Sequence, residues 1–264
     1  MPDGQQSAHR SDPAYQSDTI STLENRVSVR SFTDQPVTDE TVETILRAAF
    51  RAPTSSNIQA YSVIVVRDPG ILKPLSVVTS NQKHVAEAPV FLAFCADLTR
   101  MEEALERNGK AFGETNLEMG LVSSIDAALV GMSTYLVAES IGLRGVMIGA
   151  VRNDAVETAR ILGLPKGVYC VFGMVLGWPA EAPKQKPRMD YEAVVHYEQY
   201  GRRRGGLSAS EALDSYDEAL AAHYTAIGKA TTPDSWTHDI AKKFSPQRRE
   251  KLREQLKQQG FDFR

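Results

Sequence analysis

The sequence predicts an α+β fold in which helices cover both faces of a mainly antiparallel sheet. Buried strand patterns alternate with helical patterns along the chain, and two strand connections have lengths that need no crossover helix. The 264 residues are 42% hydrophobic and 24% charged, with a formal net charge of −3, as in a globular protein with a large core. These observations favour a three-layer helix–sheet–helix architecture.

Four segments have the pattern of buried strands. Each is a run of mostly apolar residues that is bounded by turn residues. The continuous apolar run of the first segment, Tyr61–Val66, favours an interior position in the sheet. The predicted strands are 61–66, 90–96, 145–151 and 168–176.

Capping residues and prolines set the helix boundaries. Thr38 can cap the helix that Pro53 ends. Thr115 and Glu118 have the spacing of a capping box and open the longest helix. Ser245 is the expected cap of the last helix. The first predicted helix begins near 17–21 and ends before 26. The other predicted helices span 38–52, 70–78, about 99–112, 116–141, 154–163, 208–227, 235–243 and 246–259.

The chain is expected to form one domain behind a short tail. Residues 1–18 are polar and rich in Pro, Gly, Ser, Asp and Gln, which predicts a disordered segment. Residues 19–264 form the domain, with a C-terminal helical extension from about 200. No apolar run approaches the ~18 residues of a membrane span, and the N-terminus lacks a signal-peptide core.

The two cysteines, Cys95 and Cys170, both lie in apolar runs. This placement favours buried free thiols, with a disulfide as the alternative. Free thiols fit a reducing compartment, so we expect the protein to be cytoplasmic. The near-neutral net charge gives no indication of a nucleic-acid or membrane partner.

The longest predicted helix, 116–141, is apolar around most of its circumference. Such a helix is central, and its apolar surface is wider than one core covers. We therefore expect it to pack against a second subunit. Asp126 in its middle is predicted to be a hydrogen-bonded interior or interface carboxylate, with a direct catalytic role as the alternative.

The segment Arg26–Phe32 is the first candidate for a binding site. In an extended conformation Arg26, Ser28 and Arg30 share one side of the segment, and two valines occupy the other. Two guanidinium groups and a hydroxyl are donors that suit a phosphate. The same pattern also occurs on solvated faces, so the segment alone leaves both interpretations open.

Further motifs follow this segment in a fixed order. None has the glycine spacing of a dinucleotide fingerprint, which excludes a Rossmann site. The sequence also lacks a Ser-His-Asp set and any His/Cys spacing typical of a metal site. The motifs are APTSSNIQAYSV (52–63), SNQKHV (80–85), GVMIGAVRN (145–153), QKPR (185–188) and a closing W-x-x-x-I that starts at Trp236.

In this order, over roughly residues 20–264, the motifs resemble the nitroreductase superfamily of FMN-dependent oxidoreductases. The chain is most similar to the branch of NAD(P)H flavin reductases and oxygen-insensitive nitroreductases. The resemblance implies a nitroreductase-like fold and an intertwined homodimer. It also implies FMN as the cofactor, NADPH or NADH as the electron donor and a small molecule as the acceptor.

The resemblance further implies where FMN binds. It places the loop around residues 54–57 in the site of the partner subunit, so that the site exists only in the dimer. The implied residues are, for the phosphate, Arg26, Ser28, Arg30, Lys186 and Arg188; for the pyrimidine end and ribityl chain, Thr54, Ser55, Ser56 and Asn57; for a contact of a polar turn with the flavin, Gln82; and for the N5 side of the flavin, the backbone of Met147, Ile148, Gly149 and Ala150.

The implied activity is the reduction of nitroaromatics, quinones or flavins by NAD(P)H, in a ping-pong scheme with two-electron transfer. Hydride transfer takes place at N5 of the flavin, so no side chain is assigned as a catalytic acid, base or nucleophile. The alternative from another class is a flavin- or nucleotide-binding redox sensor without turnover. A nucleic-acid module that uses the basic C-terminal helix is disfavoured by the near-neutral charge and the lack of interleaved aromatic residues.

Selectivity for NADPH is expected to be weak. Members that select NADPH are basic in the segment after Tyr224, which here reads TAIGKATTPDSW. Thr232 and Pro233 occupy part of this segment, and its only cation is Lys229. The alternative is that the basic run Arg202–Arg204 recognises the 2′-phosphate.

Overall fold

The computed structural model describes residues 15–113, 115–206, 208–229, 235–246 and 248–263. Helices and strands alternate along these residues as the sequence predicts. The helices are α1 (Asp18–Glu24), α2 (Asp39–Ala49), α3 (Pro69–Val78), α4 (Lys83–Ala86), α5 (Thr99–Arg107), α6 (Leu117–Ser140), α7 (Ala155–Leu162), α8 (Tyr191–Val194), α9 (Ala209–Ala226), α10 (Trp236–Phe244) and α11 (Leu252–Gln258), with 3₁₀ turns at Ser55–Asn57 and Gly149–Asn153.

The strands form a single four-stranded sheet within the described residues. Their order is β1-β2-β4-β3, and every neighbouring pair is antiparallel. The predicted antiparallel sheet is therefore confirmed. The strands are β1 (Tyr61–Val66), β2 (Val90–Asp97), β3 (Arg144–Ile148) and β4 (Val168–Gly177).

Alternating side chains of the sheet enter two separate cores. On one face, Leu92 and Met174 pack with residues of α2 and α6. On the other face, Phe91 and Val175 pack with residues of α3 and α7. The predicted helix–sheet–helix layering is confirmed, because successive residues of a strand point to opposite faces and both faces are covered.

The interior position predicted for β1 is wrong for the isolated chain. Within the described sheet β1 pairs with β2 alone and is an edge strand, while the fully buried β2 and the largely buried β4 lie inside. The prediction failed because an apolar run reports that both faces of a strand are covered. It does not report how many strands lie alongside in the direction of the backbone hydrogen bonds.

The start of α6 differs from the predicted capping box. The side chain of Asn116 caps the helix by accepting the N–H of Met119 at 3.1 Å. Thr115 instead donates its hydroxyl to the carbonyl of Gly260 at 2.7 Å and accepts the N–H of Asp262 at 3.0 Å. A contact with the distant C-terminal segment therefore removes the residue that local spacing favours as the cap.

Three other predicted boundaries are corrected. The third strand ends at Ile148, and a 3₁₀ turn follows it. The helix predicted over 99–112 ends at Arg107. The last helix begins at Leu252, because Arg249 takes a left-handed backbone conformation (φ 56°) that interrupts any helix from 246, and Ser245 ends α10.

Among the described residues, α6 alone is long and apolar enough to cross a membrane, although no such segment is predicted above. Its buried side, with Val130 and Tyr135, packs into the core beneath the sheet, as in the central helix of a globular protein. The opposite side bears a stripe of apolar residues at helical spacing that are 37–54% exposed: Leu117, Leu121, Ile125, Leu129 and Met132.

Cys95 and Cys170 occupy opposite positions on β2 and β4. Both thiols are free and buried, as predicted. A hydrogen bond with the neighbouring Cys170, together with burial, raises the pKa of Cys95 well above its usual range. The pair therefore belongs to the core and has the character of small apolar side chains.

Candidate functional site

The segment Arg26–Phe32 lies in an extended conformation against β3. The N–H of Val29 donates to the carbonyl of Gly145 at 3.0 Å, and the Val29 side chain is 1% exposed. The carboxylate of Glu181 accepts the backbone N–H of Arg30 at 2.7 Å and of Ser31 at 3.0 Å. These bonds fix the backbone of the segment, so that its alternate side chains are held in place.

The segment lines a cavity of about 530 Å³ whose walls are strongly cationic. The structure brings together here all the residues that the sequence assigns to a phosphate. The lining residues are Arg26, Val27, Ser28, Arg30, Pro183, Lys184, Gln185, Lys186, Arg188, His223 and Ile227. Lys184 is an addition to the predicted set, and its position in the same proline-rich turn as Lys186 is the signal that could have identified it.

Tyr135 of α6 supports this cavity from the core side. Its buried hydroxyl bonds to the carbonyls of Val27 and Gly145, each at 2.9 Å. The guanidinium of Arg26 lies 5.3 Å from the ring centroid, and Nη1 of Arg26 is 3.4 Å from the hydroxyl oxygen. Burial, with the neighbouring Glu139, raises the pKa of Tyr135 to about 12, so the hydroxyl keeps its proton.

Glu139 lies one helical turn further along α6, and its side chain is 1% exposed. Burial raises the pKa of this carboxyl group, against the opposing influence of Tyr135 and Arg144. Nη1 of Arg144 is 3.4 Å from Oε2 of Glu139. A buried acid thus lies behind the cationic cavity. Nothing in the apolar periodicity of α6 indicates Tyr135 or Glu139, and sequence reasoning missed both.

The turn that contains Gln82 adjoins the 3₁₀ turn that follows β3. Asn153, in the 3₁₀ turn after β3, donates its side-chain amide to the hydroxyl of Ser80 and to the carbonyl of Val78, each at 3.2 Å. His84 lies two residues after Gln82. Burial, together with the charge of Arg30, lowers the pKa of His84. The predicted polar turn therefore lies beside the end of β3 and within reach of the charge of Arg30, which lines the cavity.

The end of β3 has an open backbone. The side chain of Ile148 is only 2% exposed, so this residue can face a ligand only with its backbone. Met147 is 37% exposed, and Gly149 and Ala150 begin the 3₁₀ turn. A side chain on Gly149 would meet Nη2 of Arg152 at an ordinary contact distance of 3.5 Å.

Two arginines that sequence reasoning missed lie next to this strand end. Arg152 donates from Nη1 to the carbonyl of Val171. Arg249 donates from Nε to Oδ1 of Asn153 at 3.0 Å. Burial and the nearby charges of Arg152 and Arg248 lower the pKa of Arg249. The group of cationic side chains therefore extends beyond the cationic cavity. Only the three-dimensional structure reveals this extension.

The loop Thr54–Asn57 does not join these residues within one chain. It precedes β1, at the opposite edge of the sheet from β3 and Arg26. With about 4.8 Å between neighbouring strands, the two edges lie about 14 Å apart. Residues 55–59 are exposed, including the apolar side chain of Ile58 at 39%. The geometry thus leaves this loop free to contact another molecule.

The segment proposed for donor selection is described in part. Nζ of Lys229 lies 4.0 Å from the ring centroid of Tyr224, and Nζ of Lys186 lies 5.2 Å from the same centroid. Lys229 therefore adjoins the cationic cavity. Residues 230–234, with Thr232 and Pro233, lie outside the described residues. In the alternative basic run, the guanidinium of Arg204 stacks 4.0 Å from the ring centroid of Tyr197.

The cavity and its surroundings fit a phosphorylated flavin. One cavity is lined by the cationic side chains of Arg26, Arg30, Lys186 and Arg188, and the hydroxyl of Ser28 adds a further donor. The adjoining strand end offers backbone next to a glycine, which allows a flat ring to approach closely. A dianionic phosphate joined by a short chain to an aromatic ring matches both parts of this arrangement.

Comparison with known proteins gives a consistent result. A model described as the nitroreductase family matches residues 23–178, and one described as the C-terminal domain of the nitroreductase family matches residues 186–264. The chain is 39% identical over 245 residues to the oxygen-insensitive NADPH nitroreductase of Salmonella typhimurium, covering 93% of this chain and 98% of that protein. It is 35% identical over 246 residues to the FMN reductase (NADPH) of Bacillus subtilis, covering 92% and 98% respectively.

Solved structures agree with the sequence matches. The NfrA1 nitroreductase of B. subtilis superposes with a TM-score of 0.87 at 35% identity, covering 92% of this chain and 99% of that chain. The NADPH:FMN oxidoreductase of Vibrio harveyi, in complex with NAD⁺, superposes with a TM-score of 0.83 at 31% identity, covering 94% and 100%. The similarity includes the C-terminal helices as well as the sheet.

Proposed function

The chain belongs to the nitroreductase family, and from that premise we propose that it is an FMN-dependent oxidoreductase that uses NAD(P)H to reduce nitroaromatics, quinones or flavins. The observation that carries this proposal is the cationic cavity, which gathers the arginines and lysines of two distant segments around one volume. The names of both relatives include NADPH; one is an FMN reductase and the other a nitroreductase. They lend no support to a sensor without turnover.

Arg26, Ser28, Arg30, Lys186 and Arg188 are assigned to the phosphate of FMN. Their side chains line one cavity, and Tyr135 and Glu181 hold the backbone between Arg26 and Ser31 from two sides. Charge-assisted hydrogen bonds to a phosphate are the strongest contacts available to the chain here. This half of the site anchors and orients the cofactor.

Gln82 and the backbone of Met147, Ile148, Gly149 and Ala150 are assigned to the ring. Thr54, Ser55, Ser56 and Asn57 are assigned to the pyrimidine end and ribityl chain of the FMN that the partner subunit binds. When bound, FMN supplies two-electron redox chemistry that alternates between NAD(P)H and the acceptor in a ping-pong scheme. The protein binds the ring, orients its N5 side and provides donors where negative charge develops.

The functional unit is a homodimer built on α6. Its exposed stripe from Leu117 to Met132 includes Ile125, which is 54% exposed. Such a contiguous apolar surface is characteristic of an interface. The position of the loop Thr54–Asn57, about 14 Å across the sheet from β3, supports a site that two chains complete together.

The protein is soluble, and we assign it to the cytoplasm. Cys95 and Cys170 face each other on adjacent strands and are free thiols, which fits a reducing compartment. Fractionation of cells into cytoplasmic, membrane and exported material, followed by detection of the chain, tests this assignment.

The absorption spectrum of the purified protein provides the first test of function. We expect the visible bands of bound flavin and their bleaching when NADPH or NADH is added without oxygen. The bands should return when a nitroaromatic, a quinone or free flavin follows. Retained flavin that neither donor bleaches would instead support the sensor, and a protein that takes up no FMN would contradict the proposal.

A further inference from the structure

Asp126 is a carboxylate in the middle of the core. It lies on α6 and is 0% exposed. A buried charge is unfavourable unless hydrogen bonds replace its lost hydration. Here two backbone N–H groups do so: that of Ser55 donates to Oδ1 at 3.0 Å, and that of Ala60 donates to Oδ2 at 3.1 Å.

These two donors stand at the two ends of one short loop. Between them, Ser56, Asn57 and Gln59 have left-handed backbones with φ of 46°, 57° and 54°. Residues other than glycine rarely adopt this conformation, and it persists only where surrounding contacts impose it. Asp126 is such a contact, because one carboxylate holds both ends of the loop.

A cation holds the same loop through its carbonyl groups. Nη2 of Arg100 donates to the carbonyls of Gln59, at 3.0 Å, and of Tyr61. Nη1 of Arg100 is 3.2 Å from Oδ2 of Asp97, which fixes the guanidinium. The N–H donors of the loop therefore bind a carboxylate, and carbonyl groups at its end bind a guanidinium. Such a complementary arrangement determines the shape of a loop whose side chains are otherwise exposed.

The position of Asp126 on α6 links this loop to the proposed interface. Ile125, the preceding residue, is 54% exposed and belongs to the apolar stripe, and Leu129 in the same stripe lies one turn further on. One turn of α6 thus presents apolar side chains outwards and holds the loop inwards. The loop is positioned relative to the surface that would contact the partner chain.

We propose that Asp126 is a positioning residue that holds the loop Ser55–Ala60 in the shape required to contact the FMN of the partner subunit. This inference rests on the proposed function and adds a role for a residue that touches neither cofactor nor substrate. Without the carboxylate, the loop still exists but samples other conformations. The cofactor then loses the contacts that the loop makes only in its left-handed form.

The test uses Asp126→Asn in the full-length protein. The amide retains the size of the carboxylate but places an NH₂ group against one backbone N–H, so one of the two hydrogen bonds is lost. We expect the dissociation constant of FMN to rise about tenfold, as for the loss of one bond to a charged group. The visible circular dichroism of bound FMN, which reports the asymmetry around the ring, should change as well.

Hydrogen exchange of the apoprotein gives a readout that needs no cofactor. At least one of the amides of Ser55 and Ala60, the one that loses its hydrogen bond, should exchange at least about tenfold faster in Asp126→Asn, while those of β2 stay protected. The matched control is Thr134→Val. Thr134 is also fully buried on α6, but its hydroxyl donates to the carbonyl of Val130 in its own helix. This variant should leave the exchange of the loop and the flavin spectrum unchanged.

A second pair of variants applies if Asp126→Asn does not fold. Ser55→Pro removes the N–H that Asp126 accepts, and Ser55→Ala removes the hydroxyl alone. Affinity for FMN should fall further in Ser55→Pro than in Ser55→Ala. Wild-type affinity and dichroism in Asp126→Asn, or equal losses in the Ser55 pair, would overturn the inference. A wild-type protein that binds no FMN would instead refute the proposed function.

Discussion

The assignment of the phosphate can be tested by replacing Arg30 with alanine. Arg30 lines the cationic cavity, and Glu181 holds its backbone independently of the guanidinium, so the variant should fold normally. A hydrogen bond to a charged group contributes about 1.5–3 kcal/mol. Because Arg30 is exposed in the single chain, the lower value applies. A loss of about 1.5 kcal/mol corresponds to a roughly tenfold higher dissociation constant for FMN.

Comparison of FMN with riboflavin isolates the phosphate contribution. Riboflavin has the same ring and ribityl chain but no phosphate. Arg30→Ala should therefore weaken the binding of FMN roughly tenfold and leave the binding of riboflavin unchanged. The assay is the quenching of flavin fluorescence during titration of the apoprotein. Arg188→Ala should behave in the same way, and the double variant should approach a hundredfold loss for FMN.

The control is Arg160→Ala. Arg160 is an exposed arginine on α7 whose partner is Glu157 at 2.6 Å, and it is not among the residues that line the cavity. Its replacement should change neither affinity. Equal losses for FMN and riboflavin in Arg30→Ala would show that Arg30 acts on the fold or the ring, and the phosphate assignment would then be wrong.

Three further predictions concern assembly, acid–base behaviour and donor choice. Leu129→Asp places a charge in the α6 stripe and should give monomer or aggregate that releases flavin; a stable yellow monomer in light scattering would contradict the dimer. Burial raises the pKa of Glu139 above its usual range, so over the interval between its unfolded-state and folded-state pKa values the folded protein holds a proton that the unfolded chain has released. The free energy of unfolding therefore falls as pH rises through this interval. Glu139→Gln should therefore raise Tm at about pH 7.5 and leave it unchanged near pH 4, whereas an equal shift at both values would exclude titration of Glu139 as the cause. Lys229→Ala should remove an NADPH preference of at most about fivefold in kcat/KM, and a preference above a hundredfold that it leaves intact would place the 2′-phosphate elsewhere.

The elements of this fold are largely a consequence of local sequence. Thr38 caps α2 through the N–H of Thr41, and the apolar run 90–96 lies in the buried strand β2, as their residue types predict. The alternation in Arg26–Phe32 likewise indicated which side chains would share one side. Such signals depend on the backbone period and on neighbouring residues, both of which one sequence contains.

The errors arose where a distant part of the chain competes with a local pattern. Thr115 has the spacing of a helix cap, but the C-terminal segment binds its hydroxyl, and Asn116 caps α6 instead. β1 has the composition of an interior strand but lies at the edge of the described sheet. Hydrophobicity measures burial of the two faces and contains no information about hydrogen-bonded neighbours.

The sequence by itself determined the family, the cofactor class and the residues that gather around the cationic cavity. Only the tertiary structure showed what holds those residues: Tyr135 behind Arg26, Glu181 behind the backbone of Arg30, and Asp126 at both ends of the loop Ser55–Ala60. Ligand-binding residues recur in short motifs, because one segment of backbone must present them together. The side chains that hold these motifs in place can belong to any segment that packing brings within hydrogen-bond distance, about 3 Å, of their backbone groups. Sequence spacing does not encode that proximity.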